Sequence, residues 1–201
     1  MKKGKLFVFS GPSGVGKGTI VKRILDETDV QFSVSMTTRK PREGEVNGES
    51  YFFVSHEEFQ KTVDEGGFLE YAEVYGNRYG TPKKQAEERM EAGIDVLLDI
   101  DIQGAANVKK VCPDGVFIFI LPPSIEELKH RIIGRGSETE ESLRIRLGSV
   151  ADELNHARDY DYCVVNGNLD EAVQTVKAII NAEHAKFSEN FLIELLNKED
   201  V

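Results

Sequence analysis

Only two cysteines occur in the 201 residues, Cys112 and Cys163. They lie far apart and match no metal-ligand spacing. This points away from a disulfide scaffold or a cysteine metal centre, and toward two reduced thiols in a reducing compartment. Long apolar runs are missing too. The start, MKKGKLFVFSG, is basic and then apolar, but its apolar run is only Leu6 to Phe9, too short for the core of a secretion signal. No stretch approaches the ~20 apolar residues of a membrane span, so the expectation is a soluble, cytoplasmic protein. Positive charge is in deficit: 25 Lys and Arg stand against 35 Asp and Glu, a net charge of −10. An acidic surface argues against nucleic acid and anionic membrane as partners. Any anion site must therefore be local, built from clustered Lys, Arg and backbone N–H groups. Low-complexity tracts and internal repeats are absent. With 40% hydrophobic residues, the chain can bury the core of one α/β domain with small insertions.

What is present reads as alternating strands and helices. KLFVF (Lys5 to Phe9), IDVLLDI (Ile94 to Ile100), GVFIFIL (Gly115 to Leu121) and DYCVVN (Asp161 to Asn166) are continuous apolar runs, as expected for strands buried on both faces of a parallel sheet. Helical segments separate them. After the first strand, Ile20, Val21, Ile24 and Leu25 share one helical face. TPKKQAEERMEAG offers Thr81 as N-cap, Pro82 at the first helical position and Gly93 past the end. Ser124-x-x-Glu127 reads as a capping box. From Thr139 onward, Leu143, Leu147, Val150 and Leu154 form an apolar stripe, and a last core helix spans about Leu169 to His184. Strand–helix alternation implies a right-handed three-layer α/β core.

Two segments break that rhythm. Residues 33–80 hold short strand-like pieces (FSVS, YFFV, FLEYAEVY), a helix opened by Ser55-x-x-Glu58 and glycine turns; they read as a small inserted subdomain. GRGSETEES, from Gly134 to Ser142, reads as a mobile lid. The core then comprises residues 1–32 and 81–185, the insertion about 33–80, the lid about 134–142 and a helical tail 186–201. In that tail Phe187, Phe191, Leu192, Leu195 and Leu196 share one helical face, which either packs on the core or contributes to a homodimer.

FSGPSGVGKGT (Phe9 to Thr19) follows the first strand and opens the first helix. Gly11, Pro12, Ser13, Gly14, Val15, Gly16 and Lys17 fit the phosphate-loop (P-loop) pattern, in which consecutive backbone N–H groups and a helix N-terminus cradle phosphates. Lys17 is placed to put its ammonium on the β- and γ-phosphates of a triphosphate. The usual hydroxyl at the next position is replaced by Gly18, and arrives one residue later at Thr19. Thr19, directly or through water, and Asp99 at the end of an apolar strand are the candidate Mg²⁺ ligands. A second anion site is indicated by Arg39, Lys40 and Arg42 within four residues, with Tyr51 following. Arginine suits bidentate phosphate contacts and a tyrosine hydroxyl can add one more. Two anion sites suggest two phosphorylated substrates.

SVSMTTRKPREGEVNGESYFFV, FLEYAEVYGNRYGTP, VLLDIDIQG and PPSIEELKHRIIGRGSETEES, in that order, resemble the successive motifs of the guanylate kinase family, over about Gly4 to His184. The G-K-G-T form of the loop is likewise similar to that of several nucleoside monophosphate kinases. The resemblance implies a P-loop fold, ATP and GMP as substrates, Mg²⁺ as cofactor, and transfer of the γ-phosphoryl group to GMP or dGMP. It implies that Ser35, Glu70, Thr81 and Asp101 meet guanine, that Arg39, Arg42, Tyr51 and Tyr79 hold the GMP phosphate, and that Lys17, Arg42, Arg135 and Arg146 stabilise the transferring group. The chemistry agrees. A carboxylate can accept from guanine N1–H and the 2-amino group together, and a hydroxyl from Ser35 or Thr81 can donate to O6. The acceptor is already a phosphate monoester, so no strong general base is needed. Asp101 lies two residues past Asp99, on the same side if the strand continues. The family likeness also extends to protein-binding modules whose nucleotide residues have degraded, but Lys17, Arg39, Arg42, Glu70, Arg135 and Arg146 are all present here.

Overall fold

The computed structural model describes residues 3–74, 76–134, 148, 150–187 and 189–196. In chain order it contains β1 (Leu6–Ser10), α1 (Lys17–Glu27), β2 (Gln31–Phe32), β3 (Met36–Thr37), β4 (Phe52–Phe53), α2 (His56–Asp64), β5 (Phe68–Val74), β6 (Asn77–Pro82), α3 (Lys83–Glu91), β7 (Val96–Asp99), α4 (Ile102–Val111), β8 (Val116–Leu121) and α5 (Ile125–Gly134). A helical stretch α6 over 150–155 leads through a 3₁₀ turn (His156–Asp159) to β9 (Tyr162–Val165), α7 (Leu169–Ala185) and α8 (Glu189–Leu196). No helix among the described residues is long and apolar enough to cross a membrane.

The central sheet has the order β2-β7-β1-β8-β9, and every pairing is parallel. Each strand points successive side chains to opposite faces, and both faces are covered. Leu6 and Val8 pack with Val96, Leu98 and Phe117 against Ala86 and Met90 of α3 and Ala105 and Val108 of α4. Phe7 and Phe9 point the other way, with Leu97, Ile118 and Ile120, against α1, α5 and α7. Phe7 and Phe9 have no exposed surface, and burial of each contributes about 2–3 kcal/mol. Two-sided burial is why these strands read as unbroken apolar runs. The C-terminal ends of β1, β7 and β8 therefore form one edge, where an open parallel sheet binds its ligands.

A second sheet, ordered β4-β3-β6-β5, is built from the rhythm-breaking segment; β3 and β4 run parallel, while β6 is antiparallel to both β3 and β5. Its own apolar centre is the α2 residue Phe59, fully buried and stacked on Phe68 at 4.6 Å, with the Arg78 guanidinium over the ring at 4.6 Å. Ser55 forms the complete capping box with Glu58 that starts α2. The small sheet also reaches the main core, since Leu69 of β5 joins the cluster under α3 and α4.

Several boundaries differ from expectation for identifiable reasons. FSVS does not form one strand: Phe32 ends β2 in the central sheet, and the small sheet begins at Met36. Thr81 is not a helix cap. It belongs to β6, where it pairs with Glu70 across the ladder, and Pro82 in extended conformation is the N-cap of α3. Ser124 accepts the Glu127 N–H at 3.1 Å, but Glu127 gives its carboxylate to Arg131 at 2.9 Å instead of closing the box. The stripe residues Leu143 and Leu147 lie outside the described residues, whereas Val150 is buried and Leu154 packs on the core. In the tail, Phe187 is 80%, Leu192 41% and Leu196 57% exposed, so these three do not pack on the core; the side chains of Phe191 and Leu195 lie outside the described residues.

Candidate active site

β1 delivers the chain to the glycine loop at the C-terminal edge of the sheet. Val15 anchors the loop, with its side chain 1% exposed in the core. The Val15 N–H donates to the Pro12 carbonyl at 3.3 Å. Gly16 is the N-cap of α1, in the left-handed region at φ 88°, where a side chain is strained. The first turn of α1 carries no acidic residue, so its positive end is left open for an anion. Ser13, Gly18 and Thr19 are exposed. A Cβ added at Gly18 meets nothing within 4 Å. Packing within the chain therefore does not demand glycine there.

Lys17, the first residue of α1, forms an ion pair with Asp99 at the end of β7, and its ammonium also lies 3.4 Å from the Ile100 carbonyl. Burial pulls the Lys17 ammonium down to about 8, while the nearby Asp101 carboxylate acts in the opposite direction. Two of the sequence candidates, the phosphate lysine and the proposed metal ligand, are thus partners of each other. The described residues contain no group of three or more His, Cys, Asp or Glu side chains able to hold a metal. Asp99 and the exposed Thr19 each offer a hard oxygen of the kind Mg²⁺ accepts alongside water and phosphate, and Asp99 is engaged by Lys17.

The basic loop comes together around a residue that composition does not single out. Glu45 accepts from Arg39 Nη2 at 2.8 Å and from the Arg42 backbone N–H at 2.7 Å. Its carboxyl is held below the usual range, by Arg39 first and the Arg42 N–H second. Arg39 also donates to the Lys40 carbonyl at 2.7 Å and lies over the Tyr51 ring, 5.5 Å from its centroid. The Tyr51 and Tyr79 rings meet edge-on at 5.9 Å. Arg39, Tyr51 and Tyr79 therefore form one cluster, while Arg42 is exposed beside it.

Glu70 is 8% exposed and accepts from the Thr81 hydroxyl at 2.8 Å. A register shift in β5 between Phe68 and Glu70 re-aims the strand here. Burial is the main cause that raises the Glu70 carboxyl to about 7; the Thr81 hydroxyl opposes it and Asp101 adds to it. Thr81 has no exposed surface, and its single proton goes to Glu70. Of the two hydroxyls considered for guanine O6, Ser35 is the one left to donate. Ser35 stands one residue before β3, its carbonyl accepting from the Phe52 N–H at 2.9 Å. Asp101 caps α4 by accepting the Gly104 N–H at 2.7 Å. Gly104 in turn lets β5 approach: a Cβ there would lie 3.1 Å from Glu70 Oε2. Glu70, Thr81 and Asp101 are thus brought together. Arg135 and Arg146 lie outside the described residues.

Comparison with known proteins gives the family. The family model described as guanylate kinase matches residues 3–183. The chain belongs to the guanylate kinase family. It is 53% identical over 201 residues to the guanylate kinase of Clostridium tetani, covering 100% of this chain and 97% of that one. It is 56% identical over 185 residues to the guanylate kinase of Clostridium acetobutylicum, covering 92% and 88%. The crystal structure of guanylate kinase from Anaplasma phagocytophilum superposes with a TM-score of 0.77 at 38% identity, covering 92% of this chain and 88% of that one. Within this member of the family, three contacting residues were not singled out from sequence. Glu45 had a local signal, three places after Arg42. Gly104 lay in the quoted VLLDIDIQG. Asn166 closes the run DYCVVN, and nothing in that run signals its contact with the glycine loop from the C-terminal end of β9.

Proposed function

We propose that this guanylate kinase transfers the γ-phosphoryl group of Mg-ATP to GMP and dGMP, with ATP phosphates in the Gly11–Thr19 loop and GMP held by the small sheet. One observation carries the assignment. Lys17 pairs with Asp99 at the end of β7, and two residues on Asp101 caps α4 through Gly104, whose Cβ position lies 3.1 Å from Glu70 Oε2, so one strand end leads from the donor loop to the buried carboxylate. In this reading Glu70 accepts from guanine N1–H and N2, Ser35 donates to O6, and Arg39, Arg42, Tyr51 and Tyr79 take the phosphate. Adenine has an acceptor where guanine has N1–H. AMP would leave the buried Glu70 facing that acceptor, a mismatch costing several kcal/mol.

Transfer needs two polyanions side by side and a compensated γ-phosphoryl group. A GMP phosphate oxygen attacks the γ-phosphorus in line as the bond to the β–γ bridging oxygen breaks. Lys17 leaves Asp99 for the β- and γ-phosphates, which releases Asp99 toward the metal side of the site together with Thr19. Mg²⁺ supplies charge neutralisation of the phosphates when bound. Arg42, Arg135 and Arg146 complete the cationic surround. The division into core, GMP-binding insertion at about 33–80 and lid at about 134–142 gives closure over both substrates, which keeps water from the γ-phosphate.

A coupled ADP-release assay with Mg-ATP against GMP, dGMP, AMP, UMP and CMP tests the proposal. Turnover with GMP and dGMP alone is expected. AMP turnover comparable to that of GMP would overturn the guanine assignment.

A further inference from the structure

Asn166 lies just past β9 and belongs to no phosphate-loop pattern. Its backbone N–H donates to the Leu121 carbonyl at 2.8 Å, extending the β8–β9 ladder by one bond. The ladder holds the residue at the same sheet edge as the glycine loop, where it is 6% exposed. From there its Nδ2 donates to the Val15 carbonyl at 2.8 Å. Arg131 Nη1, from α5, reaches the same oxygen at 3.3 Å. Two donors from two elements thus converge on one carbonyl of the loop.

The consequence follows from peptide geometry. A planar trans peptide points its N–H opposite to its C=O. With the Val15 carbonyl turned toward Asn166, the N–H of Gly16 is sent the other way, and it makes no hydrogen bond among the described residues. The approach is close: a Cβ on Gly16 would lie 2.5 Å from Asn166 Nδ2. Glycine is required here by a specific neighbour as well as by its dihedral.

We propose that Asn166 is a positioning residue for the donor site, fixing the Val15–Gly16 peptide so that the Gly16 N–H faces the donor phosphates, with Arg131 as the second donor to the same oxygen. The proposal rests on the donor phosphates binding this loop. It is tested with Asn166→Ala and with the isosteric Asn166→Asp, which preserves packing but replaces the donor by an acceptor. Steady-state constants for ATP and GMP are measured, together with inhibition by tripolyphosphate, which carries the phosphates without a base. Loss of one such hydrogen bond corresponds to roughly a tenfold rise in the ATP KM. The tripolyphosphate inhibition constant rises by the same factor, and the GMP KM stays within about twofold. For Asn166→Asp, the deficit relative to wild type shrinks as pH is lowered, because the introduced carboxyl regains a donor on protonation. Adding Arg131→Met to Asn166→Ala leaves the oxygen with neither donor, so the combined loss exceeds the product of the single losses. A normal tripolyphosphate constant beside a raised ATP KM would overturn the proposal, since Asn166 would then act on the base. So would wild-type constants in Asn166→Asp, or an equal rise in the GMP KM. A wild-type enzyme that tripolyphosphate does not inhibit competitively with ATP would overturn the loop assignment itself.

Discussion

Glu70→Gln should stabilise the free enzyme while damaging its use of GMP. The reasoning begins with burial, which raises the Glu70 carboxyl from its ordinary 4.5 to about 7 in the folded chain. The unfolded chain binds fewer protons than the folded one between those values, so stability is full below 4.5 and is lost as pH rises through about 7. At pH 8 the ionised, buried carboxylate costs about 3 kcal/mol relative to a neutral side chain of the same shape, and at pH 5 only about 1 kcal/mol. Glutamine keeps an acceptor for the Thr81 hydroxyl and is neutral throughout. For a chain of this size, 1 kcal/mol moves the melting midpoint by about 2–4 °C. Melting of ligand-free Glu70→Gln at pH 8 is therefore expected about 6–12 °C above wild type, with most of the gap closed at pH 5. In the same variant kcat/KM for GMP should fall on the order of 10²-fold, because the new amide places a donor against guanine donors. ATP affinity should be unchanged. Calorimetry across pH reads the first part and initial rates the second. A melting gap that is the same at pH 5 and pH 8, or a wild type that melts higher at pH 8, would refute the reasoning.

Other perturbations separate the two subsites. Gly104→Ala pushes a methyl group to 3.1 Å from Glu70 Oε2; the GMP KM should rise roughly tenfold while the ATP KM holds, and equal changes in both would contradict the geometry. Glu45→Ala releases both Arg39 and the Arg42 backbone; the GMP KM should again rise roughly tenfold, in a titration of initial rate against GMP. Gly18→Ser meets open space and removes a flexible residue from α1, so thermal melting should show a gain of about 0.5–1 kcal/mol with ATP turnover retained. Loss of turnover there would mean that a bound ligand fills the space.

How much of this could be read from the chain depended on whether the cause was local. The phosphate loop and the apolar strands were legible because their causes are contiguous: glycine spacing, and burial on both faces of one strand. The sequence offers Thr81 as a cap because its neighbours Pro82 and Lys83 do begin a helix. What decides its role is a partner eleven residues away, Glu70, fixed by the register of β5 on β6. Asn166 left no trace in the sequence because its partner is the Val15 carbonyl, and a backbone acceptor has no residue type to read. The pairing of Lys17 with Asp99 was hidden for a different reason. Each residue had a reading of its own, as phosphate ligand and as metal ligand, and only the adjacency of β1 and β7 shows that they meet.

That pairing has a counterpart in the acceptor site. Lys17 is matched by Asp99, and Arg39 by Glu45. In both places a cation suited to phosphate is neutralised by one of the chain's own carboxylates. Side chains of these pairs are 14–24% exposed, so neither charge could be left alone there without a large desolvation cost. The internal carboxylate holds the cation in place before a substrate arrives, which reduces the ordering that binding must supply. It also sets a threshold: a ligand must offer more negative charge, or better geometry, than the carboxylate it competes with. On the proposed assignment a triphosphate meets that condition at Lys17, whereas at Arg39, whose guanidinium has five donors, a phosphate joins Glu45 without displacing it. The two proposed sites then differ in kind: the donor site exchanges its counter-ion and the acceptor site retains it, and local pairs of this sort let a chain of net charge −10 take two phosphorylated ligands.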